Sequence, residues 1–161
     1  MTTTTADSPF ATTFSPQGDR EVVMTRTFRA PRELVWRAIT EPRHFARWWG
    51  PRDYTCAVRE LDVRPGGRWE AEQTAPNGNR FRFWGEYLEV ERPELLVHTQ
   101  HFMEFPPLVV TITLSEYQGQ TTLTSVTRFD SPQGRTATLE MGMEWGARQS
   151  IDRLAELVES L

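Results

Sequence analysis

Hydrophobic and polar residues alternate along much of the chain with the period of two that is typical of β-strands. The first such run covers residues 21–30, and six more cover residues 55–63, 68–73, 80–90, 95–102, 108–116 and 121–129. Turn-forming glycines and prolines separate the later runs, and Asn77-Gly78 among them is a strong hairpin signal. We therefore predict a curved antiparallel sheet of seven strands.

Three segments carry the period of a helix instead. Pro31 opens the first helix, whose apolar stripe includes Leu34, Val35, Ala38 and Ile39, and residues 41–48 form a second short one. A long helix is predicted from about residue 136 to the C-terminus. Its apolar face consists of Leu139, Met143, Ala147, Ile151, Leu154, Val158 and Leu161. Gly142 and Gly146 interrupt it at a cost of about 1 kcal/mol each, which close packing or cavity space would offset.

Length and composition predict one globular domain over residues 20–161, preceded by a polar, flexible tail over residues 1–19. The net charge of −4 argues against a nucleic-acid partner, and no apolar run is long enough to span a membrane. Every one of the 18 basic residues is arginine, which excludes a Schiff-base or P-loop lysine. The single Cys56 permits no internal disulfide, so we expect a cytoplasmic location.

Several motifs resemble one known family. They are RAPRELVW at 29–36, WWGP at 48–51, DVRPGG at 62–67, GMEWG at 142–146 and SIDRL at 150–154. The chain is similar to the bacterial proteins related to the C-terminal domain of the activator of the ninety-kilodalton heat-shock protein ATPase, within the START-like, helix-grip superfamily. The resemblance implies an α+β fold in which seven antiparallel strands wrap a long C-terminal helix. It also implies two short helices after strand one and a cavity between helix and sheet.

Strand parity selects the strand side chains that would face such a cavity, and Met143 and Ala147 would reach it from the helix. The candidates are Trp48, Trp49, Trp69, His98, Gln100, Phe102, Val110, Ile112, Leu123, Met143 and Ala147. Trp48 and Trp49 would close one mouth of the cavity. The alternative is that these residues fill an ordinary core, as aromatic and methionine stripes often do.

His98 is the most informative polar candidate, because it occupies a strand position where similar sequences generally carry an aromatic or apolar residue. It shares a face with Gln100, so both could form hydrogen bonds to a ligand, or His98 could simply be a satisfied, half-buried histidine. His101 would point to the opposite face, and His44 is expected on a solvated helix surface. We therefore predict no metal site and no cofactor.

Three functions are compatible with these observations. The first is non-catalytic binding of a small hydrophobic or amphipathic molecule, and it is the prediction that we favour. The second is a protein-interaction role resembling that of a co-chaperone, with a chaperone as partner. The third is an enzyme resembling the cyclases of the superfamily, although the sequence contains no catalytic motif. The chain is expected to be a monomer or a homodimer.

Overall fold

A computed structural model describes residues 8–161, and the first seven residues of the predicted tail lie outside that range. The described residues form eight strands and four helices. In chain order these are β1 (Thr13–Gln17), β2 (Glu21–Phe28), α1 (Arg32–Thr40), α2 (Pro42–Trp48), β3 (Thr55–Leu61), β4 (Arg68–Thr74), β5 (Arg80–Glu91), β6 (Leu95–Phe102), β7 (Leu108–Tyr117), β8 (Gln120–Arg128), α3 (Pro132–Glu140) and α4 (Met143–Ser160). The fold is α+β, with an open antiparallel sheet and a C-terminal helix.

The strands are ordered β1-β2-β8-β7-β6-β5-β4-β3, and every neighbouring pair is antiparallel. Consecutive hairpins account for β3 to β8, as the turn signals in the sequence predict. The last strand, β8, pairs with β2, so strands from the two ends of the chain lie side by side near the β1 edge of the sheet. Helices α1 and α2 carry the chain from β2 to the opposite edge at β3.

The expected count of seven strands is wrong, because the sheet has eight. The additional strand is β1, which lies within the stretch predicted as a tail and pairs with β2. Its sequence, TFSPQ, resembles a linker because it is polar and contains Pro16. An edge strand tolerates both features, since one side of its backbone needs no partner in the sheet.

The prediction of a single long C-terminal helix is also wrong. The structure contains two helices, α3 and α4, separated at Gly142, which adopts the left-handed conformation with φ of 97°. Glycine reaches positive φ without the Cβ clash that other residues meet, so this position ends one helix and precedes the next. Gly146 lies inside α4.

The hydrophobic core lies between the sheet, α1 and α4. Val35 and Ile39 from α1 and Leu154 and Val158 from α4 are all buried within it. Each such side chain contributes about 1.5–3 kcal/mol when fully buried. Leu161, predicted on the same apolar face, is exposed at the end of the chain.

Candidate functional site

A partly open cavity of about 350 Å³ lies between the inner face of the sheet and the junction of α3 with α4. Side chains of the sheet form its floor, and the turn after α2 contributes Trp49, Pro51 and Tyr54. The first turns of α4 cover it, with Met143, Gly146 and Ala147 facing inward. The cavity and the hydrophobic core therefore lie at opposite ends of the space between the sheet and α4.

The strand register explains this division. His98 on β6 pairs with Val110 on β7, which pairs in turn with Thr127 on β8, and all three residues line the cavity. Four residues further along β7, Leu114 pairs with Leu123, and both are in the core. One face of the sheet thus carries polar groups at the cavity end and aliphatic groups at the core end.

Seven of the predicted site residues lie in the cavity wall. They are Trp49, His98, Gln100, Phe102, Val110, Met143 and Ala147. Alternation along β6 and β7 and helical spacing on α4 bring six of them together, and the turn after α2 adds Trp49. Their contact with a ligand stays a prediction.

Four predicted residues lie outside the wall. Trp48 is buried beneath the turn, where its indole N–H donates to the Ala38 carbonyl at 2.8 Å. Trp69 is buried behind His98, Ile112 packs against the core, and Leu123 belongs to the core. Parity predicts the correct face for these strand residues but not how far along the strand the cavity extends.

The ring of His98 is held by a backbone carbonyl that it shares with Trp69. The Thr99 carbonyl oxygen lies 3.0 Å from Nδ1 of His98 and also accepts a 3.0 Å hydrogen bond from the Trp69 indole. The opposing Gly85 makes this arrangement possible, since a Cβ there would lie 2.0 Å from the same oxygen. Trp69 also packs edge-on against the His98 ring, with centroids 5.4 Å apart.

The electrostatic character of the wall is neutral. Among the described residues, no arginine, aspartate or glutamate lines the cavity. Burial lowers the pKa of His98, and the backbone hydrogen bond to Thr99 opposes this only in part. His98 is therefore uncharged at neutral pH, and the cavity presents polar atoms without formal charge.

Several of these polar atoms have no partner within the described part of the chain. The side chains of Gln73, Gln100, Ser125 and Thr127 line the cavity and take part in none of the side-chain hydrogen bonds between residues 8 and 161. None of their polar atoms is among the fully enclosed, unpaired ones. These groups are thus accessible to a molecule in the cavity.

Aromatic side chains that the sequence reasoning missed form much of the wall. Phe83 stacks on Phe102 with centroids 4.6 Å apart and meets Trp49 edge-on at 4.8 Å. Phe105 continues the stack beyond Phe102, and Phe81 stacks on Tyr54 on the other side. Phe81 and Phe83 alternate with Arg80 and Arg82, a pattern from which the inward residues of β5 could have been found, whereas no sequence pattern marked Phe105.

Helix α4 fixes the turn that presents Trp49. The Arg153 guanidinium donates to the carbonyls of Arg47, Gly50 and Pro51 at 2.9–3.0 Å. The Ser150 hydroxyl accepts a hydrogen bond from the Gly50 backbone N–H at 2.8 Å. The SIDRL motif therefore stabilises the WWGP motif, which explains why both are needed to build this wall.

The other two histidines, His44 and His101, do not line the cavity. His101 stacks on Trp84 on the outer face of the sheet, as predicted. His44 was expected on a solvated surface, but it is only 7% exposed, and burial lowers its pKa. Helix α2 packs against α1, β3 and α4, which encloses this position.

The described part of the chain contains neither a metal-binding cluster nor a membrane-spanning helix. Within residues 8–161, no three histidine, cysteine, aspartate or glutamate side chains are grouped so that they could hold a metal ion. None of the helices in this range is long and apolar enough to cross a membrane.

The fold and site define a class: an α+β protein whose open antiparallel sheet and C-terminal helix border an internal cavity. The chain belongs to the family described as activator of Hsp90 ATPase homolog 1-like protein, whose model matches residues 29–159. This confirms the resemblance that the sequence motifs indicated. None of the curated proteins matches the sequence significantly.

Solved structures of bacterial proteins share the fold. Protein Ms6760 from Mycobacterium smegmatis is 26% identical, with a TM-score of 0.85 over 91% of this chain and 96% of its own. Protein CV1439 from Chromobacterium violaceum is 30% identical, with a TM-score of 0.76 over 88% and 99%. A protein from Arthrobacter aurescens, 23% identical with a TM-score of 0.88 over 92% of each chain, supports the fold alone.

Proposed function

We propose that the protein binds a small hydrophobic or amphipathic molecule in the cavity between its sheet and α4. The composition of the wall carries the proposal, because aromatic and aliphatic side chains surround a few polar groups without partners among the described residues. Small-molecule sites combine these two features, with volumes of roughly 300–1,000 Å³. The cavity volume of about 350 Å³ lies within that range.

The alternative of an ordinary core is less consistent with these side chains. Burying a polar group without a hydrogen bond costs about 1–3 kcal/mol, so a filled core would not place Gln100, Ser125 and Thr127 together. A bound molecule, by contrast, would give these groups partners. The arrangement thus favours a site that is occupied during function.

A fluorescent probe tests the proposal directly. N-phenyl-1-naphthylamine is uncharged, and its emission rises in an apolar environment. We expect it to bind the unmodified protein and to bind Ala147→Phe at least tenfold more weakly, because the new ring would occupy the cavity beneath α4. The matched control is Ala57→Phe, which places the same ring on the exposed face of β3.

Equal binding by both variants would place the probe elsewhere on the protein and contradict the proposal, as would the absence of any emission change. If the probe does distinguish the two variants, native mass spectrometry on protein purified from its own cells would identify the natural ligand. A retained mass in Ala57→Phe that is missing from Ala147→Phe would assign that ligand to the cavity.

A cyclase-like enzyme is the second candidate, and His98 is the observation that favours it. A neutral histidine with an available ring nitrogen is a suitable general base for a bound substrate. 2-Tetralone tests this, because a general base accelerates the exchange of its acidic C–H groups with deuterated water. Exchange catalysed by the unmodified protein but not by His98→Phe would support enzyme activity, and exchange equal to the buffer rate would contradict it.

The partner predictions rest on other grounds. The co-chaperone role and its chaperone partner come from the family resemblance. They predict binding through an exposed surface, which a cavity-filling variant such as Ala147→Phe would leave unchanged. Measuring probe binding and chaperone binding in Ala147→Phe and Ala57→Phe therefore separates a ligand role from a chaperone role.

A further inference from the structure

The hydrogen bonding of His98 determines which of its ring nitrogens carries the proton. Nδ1 lies 3.0 Å from the Thr99 carbonyl oxygen, and a carbonyl can only accept. Nδ1 must therefore be the donor in this pair. In the neutral ring the other nitrogen, Nε2, then has a free lone pair and accepts hydrogen bonds.

The other ring nitrogen, Nε2, is not fully enclosed by protein atoms. Nδ1 occupies the edge of the ring that faces the backbone, so Nε2 lies on the edge that points away from it. Within residues 8–161, Nε2 has no hydrogen-bond partner, and it is not among the fully enclosed, unpaired side-chain atoms. Because His98 borders the cavity, Nε2 is available there as an acceptor.

The ring cannot easily exchange these roles. Trp69 and Tyr87 pack edge-on against it, with centroids 5.4 and 5.9 Å away. The Trp69 indole donates to the same Thr99 oxygen, which keeps that carbonyl in place. The acceptor at Nε2 is thus built into the sheet and does not depend on a ligand to orient it.

The wall beside His98 is aromatic and uncharged. Phe102 follows on the same face of β6 and forms a stack with Phe83 and Phe105. No arginine lines the cavity to pair with an anion, and no carboxylate lines it to pair with a cation, among the described residues. A charged ligand would lose its hydration without gaining a counter-charge.

We propose that the cavity selects uncharged aromatic molecules of the phenol class, whose hydroxyl donates a hydrogen bond to Nε2 of His98 while the ring packs on the phenylalanine stack. This inference rests on the proposed binding function and specifies its ligand chemistry. Aromatic carboxylates are excluded by the missing counter-charge. Aromatic ethers fit the wall but leave the Nε2 lone pair without a donor.

Two probes of similar shape test the selection. 2-Naphthol has the hydroxyl donor, and 2-methoxynaphthalene replaces it with an ether of similar size. Their affinities are measured by isothermal titration calorimetry at neutral pH for the unmodified protein and for His98→Phe. The affinity for 2-naphthol is divided by the affinity for 2-methoxynaphthalene in each protein. The two ratios are then compared, which cancels the difference in hydrophobicity between the probes.

We expect the preference for 2-naphthol to be about threefold to tenfold greater in the unmodified protein than in His98→Phe, as one net hydrogen bond predicts. 2-Naphthoate should bind at least tenfold more weakly than 2-naphthol. Equal ratios in the two proteins, with both probes bound, would overturn the inference and leave cavity binding intact. Failure of both probes to bind would overturn the phenol class, and the Ala147→Phe experiment decides the binding function separately.

A second measurement needs no variant. Long-range ¹H–¹⁵N correlation spectra distinguish the protonated nitrogen of a histidine ring from the unprotonated one. Adding 2-naphthol should shift the Nε2 resonance of His98 and leave Nδ1 protonated, whereas 2-methoxynaphthalene should not shift Nε2 in this way. A proton on Nε2 in the free protein would refute the assignment.

Discussion

Gly85 is the position where the smallest change should have the largest effect on the site. It lies on β5 opposite β6, and a Cβ at this position would be 2.0 Å from the Thr99 carbonyl oxygen and 2.6 Å from the Trp69 indole nitrogen. No side chain can rotate away to relieve the first contact, because that atom belongs to the backbone. Gly85→Ala must therefore separate β5 from β6, and the second contact requires Trp69 to move as well.

Two contributions set the expected loss of stability. The Trp69 hydrogen bond to Thr99 is worth about 0.5–1.5 kcal/mol, and overpacking a well-filled region costs about 1–3 kcal/mol. Together they predict that the free energy of unfolding falls by about 1.5–4.5 kcal/mol. For a domain of this length, such a loss lowers the melting temperature by roughly 3–18 °C.

Urea unfolding followed by tryptophan fluorescence measures the difference, and Gly146→Ala is the matched control. Gly146 also borders the cavity, but a Cβ there would lie 3.8 Å from its nearest neighbour outside the helix, the Cγ of Pro51, which is ordinary contact. Because Gly146 is inside α4, alanine should stabilise the protein by up to about 1 kcal/mol. Equal unfolding midpoints for Gly85→Ala and the unmodified protein would refute the packing argument.

Three further predictions concern the surroundings of the cavity. Arg153→Met removes the hydrogen bonds to three carbonyls of the WWGP turn, so the unfolding free energy measured by urea titration should fall by about 2–3 kcal/mol. The control Arg64→Met loses only an exposed ion pair with Asp62 and should change the unfolding free energy by less than about 1 kcal/mol. Burial raises the pKa of Cys56 to about 11, so iodoacetamide at pH 7.5 should alkylate it far more slowly in the folded protein than in urea, and equal rates would contradict its burial. Burial lowers the pKa of His98 below its ordinary value of 6.5, so the unfolded chain binds the proton first as the pH falls. The stability that neutral His98 provides should therefore be full above pH 6.5 and decrease below it. The decrease in unfolding free energy between about pH 7 and pH 5 should be smaller in His98→Phe.

Most of the sheet could be predicted from the sequence, because alternation and turn chemistry act locally. The exception, β1, has a polar sequence with a proline, and its strand conformation depends on pairing with β2. The helix break had a different cause. Gly142 and Gly146 look equivalent in sequence, and only the direction in which the chain must leave α3 decides which of them adopts positive φ.

The candidate site could be predicted in part for a similar reason. Parity correctly placed His98 and Gln100 on the inner face, since it depends only on the strand itself. The boundary between cavity and core depends on where α4 crosses the sheet, which no local pattern contains. Leu123 was therefore placed in the cavity by prediction, although it belongs to the core.

The division of the inner face also has an energetic reason. At the core end, Ile151, Leu154 and Val158 of α4 cover aliphatic residues of the sheet, and this contact needs no polar partner. At the cavity end, α4 presents the small residues Gly146 and Ala147 above the side chains of β6 and β8. Larger residues there would fill the space and bury Gln100 and its polar neighbours without hydrogen bonds, at about 1–3 kcal/mol each. Small residues on the helix and polar residues on the sheet are thus two parts of one arrangement, and each would be unfavourable without the other.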